Sequence, residues 1–411
     1  MRTILHSDLN NFYASVEMLK HPEFRNKPLA VCGSIEDRHG VVLAKNYLAK
    51  SFGVKTGDVF WQAKTKCPDL EGIQADFSAY YDISLQIMEI YKRYTDRIEP
   101  FGIDECWLDV SGCAKYFGSG KQIAELISGE IKEKFGLTVS IGVSWNKIFA
   151  KLGSDLKKPD AITEITPENY RTLIWNLPAE NMLFVGRATK EKLHRFNIFT
   201  IGEIALADKD FLFGKLGKWG EYLYRYANGQ DDSPVTAVNQ ERKVKSVGNS
   251  LTSYRDLMNF EDVKTLLLLL SDSVATRIRE GHYGKAHTIK VTVTDNQLKT
   301  YGKQERYAIP FRSAGELGKK ACKLFSEFYD WAAPVRAVGV SVSDFAQTKE
   351  DLFDFSSGSR KNEKMEETVF RLKKKYGYNC VQRAQILKDK RFFDMDVSGG
   401  HLIFTDDNKE D

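Results

Sequence analysis

Pro100–Val110 reads PFGIDECWLDV. The run is mostly apolar and strand-like, yet Asp104 and Glu105 stand side by side in it and Asp109 follows a few residues on. Charges in such a setting are costly unless they are paired or bind a cation. Adjacent side chains on a strand point to opposite faces. Asp104 and Glu105 therefore converge only at a strand end or tight turn, and Gly102 supplies the freedom for one. A third acid, Asp8, ends the short strand in ILHSDLNNFY. If that strand pairs beside the acidic hairpin, three carboxylates meet. Such a cluster repels itself and raises its own pKa values unless a divalent cation holds it. Oxygen ligands with no His or Cys companion favour Mg²⁺ or Mn²⁺ over zinc. Carboxylates bridging two ions ~3.5–4 Å apart can activate a hydroxyl, orient a triphosphate and stabilise a leaving pyrophosphate. By itself an IDE triplet is more often a pair of surface hairpin acids, so the surrounding chain must decide.

The flanks alternate strands with helices. Residues 3–7, 28–32 and 41–45 read as short strands. Tyr80, Ile83, Ile87, Tyr91, Tyr94 and Ile98 recur at helical spacing, which predicts a helix over 77–98 leading into the acidic stretch. A second helix over about 121–135 runs through Phe135-Gly136 into the alternating LTVSIGV. Strand, helix, hairpin, helix, strand is an α+β layer pattern. Residues 170–230 read as helices broken by Pro178, Gly186, Gly202 and Gly217, and DDSPVTAVNQERKVKS as a polar linker. Beyond it come a helix over 261–280, the alternating HTIKVTVTD, a helix over 314–329 and the alternating VRAVGVSVSD, a separate small α+β domain. After Phe345 the chain turns polar, and its last residues, DDNKED, are expected to fray.

The chain has 411 residues, 42% of them hydrophobic, enough for two to four domains with cores of their own. Its six cysteines are scattered without zinc or redox spacing, so a disulfide framework is not expected. An acid follows too soon after the start for a signal peptide, and no apolar run reaches the ~18 residues of a membrane span. A cytoplasmic location and no membrane partner are expected. Net charge is +4, but Lys and Arg outnumber Asp and Glu by 17 to 11 over residues 242–345 and trail them by 30 to 32 over residues 1–241. A localised basic segment suits a polyanion such as nucleic acid, although a solvated charged surface gives the same count.

Taken in order, DLNNFYASVE (8–17), KNYLAKSFGVKTGD (45–58), GIDECWLDV (102–110) and GVSWNKIFAKLGSDLKKP (142–159) resemble the successive signatures of the Y-family, translesion DNA polymerases. FVGRATKEKL (184–193) is similar to the family's thumb motif and VKSVGNSLT (244–252) to the start of its little finger. The resemblance covers residues 1 to about 345. It implies an α+β multidomain, right-hand polymerase: palm over 1–18 and 76–168, fingers over 19–75, a helical thumb with a helix-hairpin-helix over 169–236, an α+β little finger over 237–345 and a C-terminal tail over 346–411. Asn10 and Lys50 follow the polymerase V variant of the signatures, whereas the remaining domains look more like polymerase IV, so the branch stays open. Two departures fall in the catalytic hairpin. Gly102 replaces the usual Ser, and Cys106-Trp107 the usual Ala-aromatic pair.

Carried over, the resemblance implies that Asp8, Asp104 and Glu105 hold two Mg²⁺ ions, with Mn²⁺ able to substitute and the Leu9 carbonyl as a further ligand. Tyr47, Lys50 and Lys158, with backbone amides near Asn11 and Phe12, would hold the phosphates of a deoxynucleoside triphosphate. Tyr13 would be the steric gate against a 2′-hydroxyl. Gly186 would allow a tight turn whose following helix, starting at Arg187, offers free amides to a DNA phosphate, and Lys290, Lys299, Lys303 and Arg306 would track the backbone of primer-template DNA. Leu352 and Phe353, in QTKEDLFDF, resemble the family's clamp-docking peptide, though more distant from Gln347 than is usual. The implied protein is a low-fidelity monomer without a proofreading exonuclease. Two other readings stay open: a DNA-binding paralogue impaired by Gly102 and Cys106-Trp107, and a nucleotidyl cyclase with a similar palm, which needs neither a thumb clamp nor a basic domain.

Overall fold

The computed structural model describes residues 2–33, 40–238, 240, 244–346, 357–386, 389, 391–392 and 397. These form two compact units, one from the described residues up to Gln240 and one from those after it.

The first unit runs β1 (Ile4–Leu9), α1 (Phe12–Lys20), β2 (Leu29–Cys32), β3 (Val42–Lys45), α2 (Tyr47–Ser51), α3 (Phe60–Lys66), β4 (Glu71–Gln74), α4 (Phe77–Lys92), β5 (Ile98–Pro100), β6 (Glu105–Asp109), α5 (Ala114–Phe117), α6 (Gly120–Phe135), β7 (Val139–Ser144), α7 (Lys147–Leu156) and β8 (Ile162–Glu164). Five strands make one sheet in the order β5-β6-β1-β7-β8, with β1 antiparallel to both β6 and β7. Every residue of β1 and β7 is buried, as central strands covered on both faces require. Leu5 and Leu9 pack with Ile87 and Tyr91 of α4 and Ile123, Ile127 and Ile131 of α6. The alternate residues of β1 face α7: Ile4 packs with Ala150, and His6 bonds Ser154. A smaller sheet, β3-β2-β4, carries α2 and α3.

Local chemistry sets the ends of these elements. Asp76 caps α4 by accepting from the Ala79 amide (3.2 Å). Ser119 and Gln122 form a capping box at the start of α6. Helix α4 stops at Lys92 rather than running to Ile98 as its spacing predicts. Thr95 Oγ1 donates to the Asp109 carbonyl (2.7 Å), drawing the chain into the sheet so that Ile98 opens β5. Helix α7 lies almost in contact with β7 because position 142 is glycine. A Cβ there would sit 1.9 Å from the Ala150 carbonyl oxygen and 2.5 Å from the Ser154 nitrogen.

Five short helices follow: α8 (Tyr170–Ile174), α9 (Arg187–Arg195), α10 (Ile201–Leu206), α11 (Lys209–Leu216) and α12 (Lys218–Ala227). They share a core of Ile174, Leu193, Ile201, Leu212 and Leu223 with Phe149 of α7. The polar stretch expected to be linker from 231 onward is anchored through 238. Asp231 accepts from the Lys147 amide (3.2 Å), Thr236 donates twice to Glu99 Oε2 (3.1 Å each), and the Val238 amide bonds the Asp96 carbonyl (3.0 Å). Asp231, Thr236 and Val238 thus tie the stretch to α7 and to the chain around β5, while Asp232 and Ser233 face solvent.

The second unit contains β9 (Ser246–Leu257), α13 (Phe260–Glu280), β10 (Ala286–Asp295), β11 (Thr300–Phe311), α14 (Ala314–Phe328), β12 (Val335–Phe345) and α15 (Ser357–Tyr376). Its antiparallel sheet has the order β11-β10-β12-β9. Ile289, Val291, Val293, Val338, Val340 and Val342 pack against Leu266, Leu270, Leu317 and Phe325 of α13 and α14. The opposite face alternates with these and bears small or hydroxylated residues, among them Gly248, Ser250, Thr292, Gly339 and Ser341, with Lys290 exposed among them.

The polar tail expected after Phe345 is in part structural. Helix α15 places Glu366 against Arg279, and that carboxylate also accepts from Ser313 Oγ (2.9 Å). Ile386, Phe392 and Val397 are buried in the second unit's core, and the Val397 carbonyl accepts from Asn249 (3.0 Å) and Ser273 (2.9 Å). These three side chains stand six and five positions apart, which shows neither a helical nor a strand period. Leu352, Phe353 and Gln347 lie outside the described residues. Among those described, no helix is long and apolar enough to cross a membrane.

Candidate active site

Strand register builds the acidic cluster. Asp8 of β1 sits opposite Glu105, the first residue of β6, and the Leu9 amide donates to the Asp104 carbonyl (3.0 Å). Asp104 occupies the turn between β5 and β6, in which Gly102 has φ +93°. The turn thus lets two adjacent acids approach Asp8 together. Burial and the charges of Asp8 and Glu105 push the Asp104 carboxyl up to about 6. Gly102 and Cys106-Trp107 leave the hairpin well anchored: Cys106 is buried, Trp107 donates through Nε1 to the Lys147 carbonyl (3.0 Å), and the Lys147 ammonium lies 4.5 Å from the Trp107 ring centre.

Two lysines of the 142–159 signature reach the cluster from the far side. Lys158 donates to Asp8 Oδ2 (2.6 Å), as does Lys151 (3.0 Å), and both pair with Asp155. Burial disfavours the Lys151 ammonium, but the carboxylates of Asp8, Glu105 and Asp155 outweigh it and hold its pKa above that of an ordinary lysine. Lys151 and Asp155 stand one turn apart on α7, and Lys158, just past its end, closes on the same carboxylates.

His6 was not among the expected site residues. It is fully buried two residues before Asp8 on the same face of β1, with Nε2 3.3 Å from Glu105 Oε2. Burial, reinforced by Lys151, pushes its pKa down to about 3, so the ring is neutral. Among the described residues, His6, Asp8 and Glu105 form the one group of three whose ligand atoms come within 4.8 Å of one another. Strand alternation through ILHSDL was the signal that could have found it.

The remaining expected residues fall in two places. Asn11 adopts a left-handed conformation (φ 49°) and starts α1 without capping it by its side chain, leaving first-turn amides of Phe12 and Tyr13 without helical partners. Phe12 is core, whereas Tyr13 is half-buried, stacked on Tyr80 and edge-on to Phe77. Tyr47 begins α2 with the Lys50 ammonium 5.6 Å from its ring centre. Its hydroxyl pKa is raised by burial and also feels Lys158 and Asp8, which ties it to the same site. Asn10 turns away and bonds Thr138 (3.1 Å) and Ser140 (2.9 Å) of the neighbouring strand.

Away from the acids, Gly186 precedes α9 in ordinary extended conformation. The left-handed residue of that turn is Phe184 (φ 73°), so the tight bend lies two residues earlier than expected. Among the described residues nothing lies within 4 Å of a Cβ at Gly186, and Arg187 is almost fully exposed and pairs with Glu191 (3.0 Å). On the second unit's sheet, Lys290 shares the helix-free face with Arg306, which pairs with Asp344 (2.8 Å). Lys303 does not join them. It sits opposite Val291 on the helix side and pairs with Glu327 of α14 (2.7 Å). Lys299 follows the β10 strand end, its amide bonded to Asp295 (2.9 Å).

Residues 7–155 match the model of the impB/mucB/samB family, and residues 244–352 match that family's C-terminal domain. The chain is 49% identical over 393 residues to DNA polymerase IV of Acetivibrio thermocellus, covering 95% of this chain and 98% of that one. It is 35% identical over 404 residues to DNA polymerase IV of Clostridium kluyveri, covering 95% and 99%. Among solved structures, a Y-family DNA polymerase chimera of Dbh and Dpo4 aligns with a TM-score of 0.74 at 26% identity, covering 84% of this chain and 99% of that one. A Dbh DNA polymerase described as an insertion ternary complex aligns with a TM-score of 0.58 at the same identity and coverage. With its acids on paired strands and its likeness to these polymerases running through both units, the chain belongs to the Y-family DNA polymerases of the impB/mucB/samB family, in the polymerase IV branch that Asn10 and Lys50 had left undecided.

Proposed function

We propose that Asp8, Asp104 and Glu105 are the acids on which this translesion DNA polymerase extends a primer along a template. The observation that carries the reading is the register pairing of Asp8 with Glu105, with Asp104 in the adjoining turn. The donor set fits divalent metal: three carboxylates meet with, among the described residues, only lysine ammonium groups as counter-charge, and burial together with the charges of Asp8 and Glu105 raises Asp104. Two Mg²⁺ ions held by these acids and the Leu9 carbonyl would activate the primer hydroxyl and neutralise charge on the departing pyrophosphate.

The chain's own groups position the reactants. Lys158 reaches Asp8, Tyr47 feels the charges of both, and Lys50 lies beside the Tyr47 ring; together they would hold a triphosphate, lysine supplying compact charge. The free amides at the start of α1 offer further phosphate donors. Tyr13, backed by Tyr80, presents a flat ring as the gate to the sugar. For DNA, the amides after Gly186 and Arg187 suit a phosphate, and the flat Ser/Thr/Gly-rich face with Lys290 and Arg306 suits a duplex backbone read without sequence preference. Lys299 joins that set from the strand end.

In this reading the five-stranded sheet is the palm, the β3-β2-β4 layer the fingers, α8–α12 the thumb and the second unit the little finger. Leu352 and Phe353 are offered as the docking pair for a sliding clamp. The polymerase works as a cytoplasmic monomer, at low fidelity and without proofreading. The anchoring of Trp107 supports an active hairpin over an impaired paralogue, and the basic second unit has no use in a cyclase. Primer extension with Mg²⁺ tests the assignment: Asp104→Ala and Glu105→Ala should abolish nucleotide addition while DNA binding persists. Extension at near wild-type rate in both would refute it.

A further inference from the structure

Ser154 decides which nitrogen of His6 carries the proton. Its hydroxyl donates to the Lys151 carbonyl (2.8 Å), so toward His6 Nδ1, also 2.8 Å away, it can only accept. Nδ1 therefore holds the ring proton and Nε2 presents a bare lone pair. That lone pair faces Glu105 Oε2 at 3.3 Å; Nε2 is buried with no hydrogen-bond partner among the described residues, while Oε2, also buried, has the Lys151 ammonium 2.9 Å away. Two buried acceptors facing each other is an arrangement proteins avoid unless something positive joins them. Lys151 supplies positive charge to the carboxylate, its Nζ 2.9 Å from Oε2, but Nε2 receives nothing from that side chain.

We propose that His6 Nε2, Glu105 Oε2 and an oxygen of Asp8 form a mixed nitrogen–oxygen site for a first-row divalent transition ion. This rests on the carboxylate reading above for two of its three ligands and adds a nitrogen to them. The ligand atoms span at most 4.8 Å, against the ~4.4 Å between atoms on opposite sides of an ion bound at ~2.2 Å, so a few tenths of an ångström of closure completes it. Lys151 keeps Asp155, 3.3 Å away, as its partner when it yields this position. Mg²⁺ prefers oxygen and retains water, whereas imidazole nitrogen favours the later divalent ions. The site accordingly ranks Mn²⁺, and still more Co²⁺ or Zn²⁺, above Mg²⁺. His6 thus tilts an oxygen-lined polymerase centre toward transition metals.

The test is electron spin-echo spectroscopy of Mn²⁺ added to the metal-free, full-length protein, with no nucleotide or DNA present. ¹⁴N modulation from a directly bound imidazole is expected in the wild type and should vanish in His6→Gln and His6→Ala. In titrations, both variants should bind Mn²⁺ at least about tenfold more weakly, a loss seen even when an outer-shell partner is removed, and Mg²⁺ nearly unchanged. Mn²⁺ bound to the wild type without nitrogen modulation, or modulation persisting in both variants, overturns the site. The wild-type spectrum decides even if the variants fail to fold. Mn²⁺ affinity unchanged in Asp8→Ala and Glu105→Ala would instead bring down the carboxylate assignment itself.

Discussion

Tyr13 lies flat on Tyr80, their ring centres 4.3 Å apart and their planes 12° from parallel. Tyr80 is itself fixed, fully buried and donating its hydroxyl to Glu17 (2.6 Å), so the exposed part of Tyr13 is a rigid edge rather than a mobile ring. Tyr13→Ala should keep much of its deoxynucleotide addition and gain ribonucleotide addition, since an obstruction at the sugar costs ~10²-fold through misplacement alone. Single-nucleotide insertion with matched ribo- and deoxyribonucleotides checks it. A folded variant with an unchanged discrimination ratio would remove the gate.

Asp104 gives the metal-free protein a definite pH signature. Its folded pKa, about 6, lies above the ordinary 3.8, so between those values the native state holds a proton that the unfolded chain has lost. Stability from this group is complete below about pH 4 and declines as pH rises through about 6. The decline is at most about 3 kcal/mol by the cost of shifting two pKa units. In chelator, Asp104→Asn should gain stability relative to wild type as pH rises across this window, and denaturant melts at pH 4 and 7 measure it. Equal differences at both pH values would contradict the burial and crowding of this acid.

Gly142 is the contact through which α7 presents its lysines. Gly142→Ala should push α7 from β7, costing about 1–3 kcal/mol as overpacking does, and should depress nucleotide addition as Lys151 and Lys158 lose their reach to Asp8. Gly129→Ala on α6, where nothing lies within 4 Å of the new Cβ, is the matched control and should be neutral or gain about 0.5–1 kcal/mol. Thermal melts and extension rates on both variants separate a specific contact from general intolerance.

The two faces of the second sheet divide its lysines. Lys290→Ala should weaken DNA binding and lower the salt slope by roughly one unit, the share of one phosphate contact. Lys303→Ala, whose partner is Glu327 on the helix side, should leave the slope alone. Equal effects from both would mean that the sheet face is not the DNA surface.

Much of this was legible in the chain. The acids, the Gly102 turn and the alternating strands of both units are written in period and in turn chemistry, which act over a few residues. What escaped depends on pairing between distant segments. His6 reads as an unremarkable strand residue until β6 brings Glu105 beside it, 99 positions later. Lys303 and Lys290 look alike until register assigns them opposite faces, and residues 231–238 look like spacer until Glu99 and Asp96 take their hydrogen bonds. Gly186 carried the expectation of the thumb turn, but backbone sterics at Phe184 set the bend.

The burial of Ile386, Phe392 and Val397 moves the natural cut site of the second unit about fifty residues beyond its last strand. A fragment ended at Phe345 would keep every strand with α13 and α14, yet lose α15 and leave a wet, apolar scar where those three side chains belong. Anyone grafting this unit onto a relative, or excising it for study alone, would need to carry the chain through Val397.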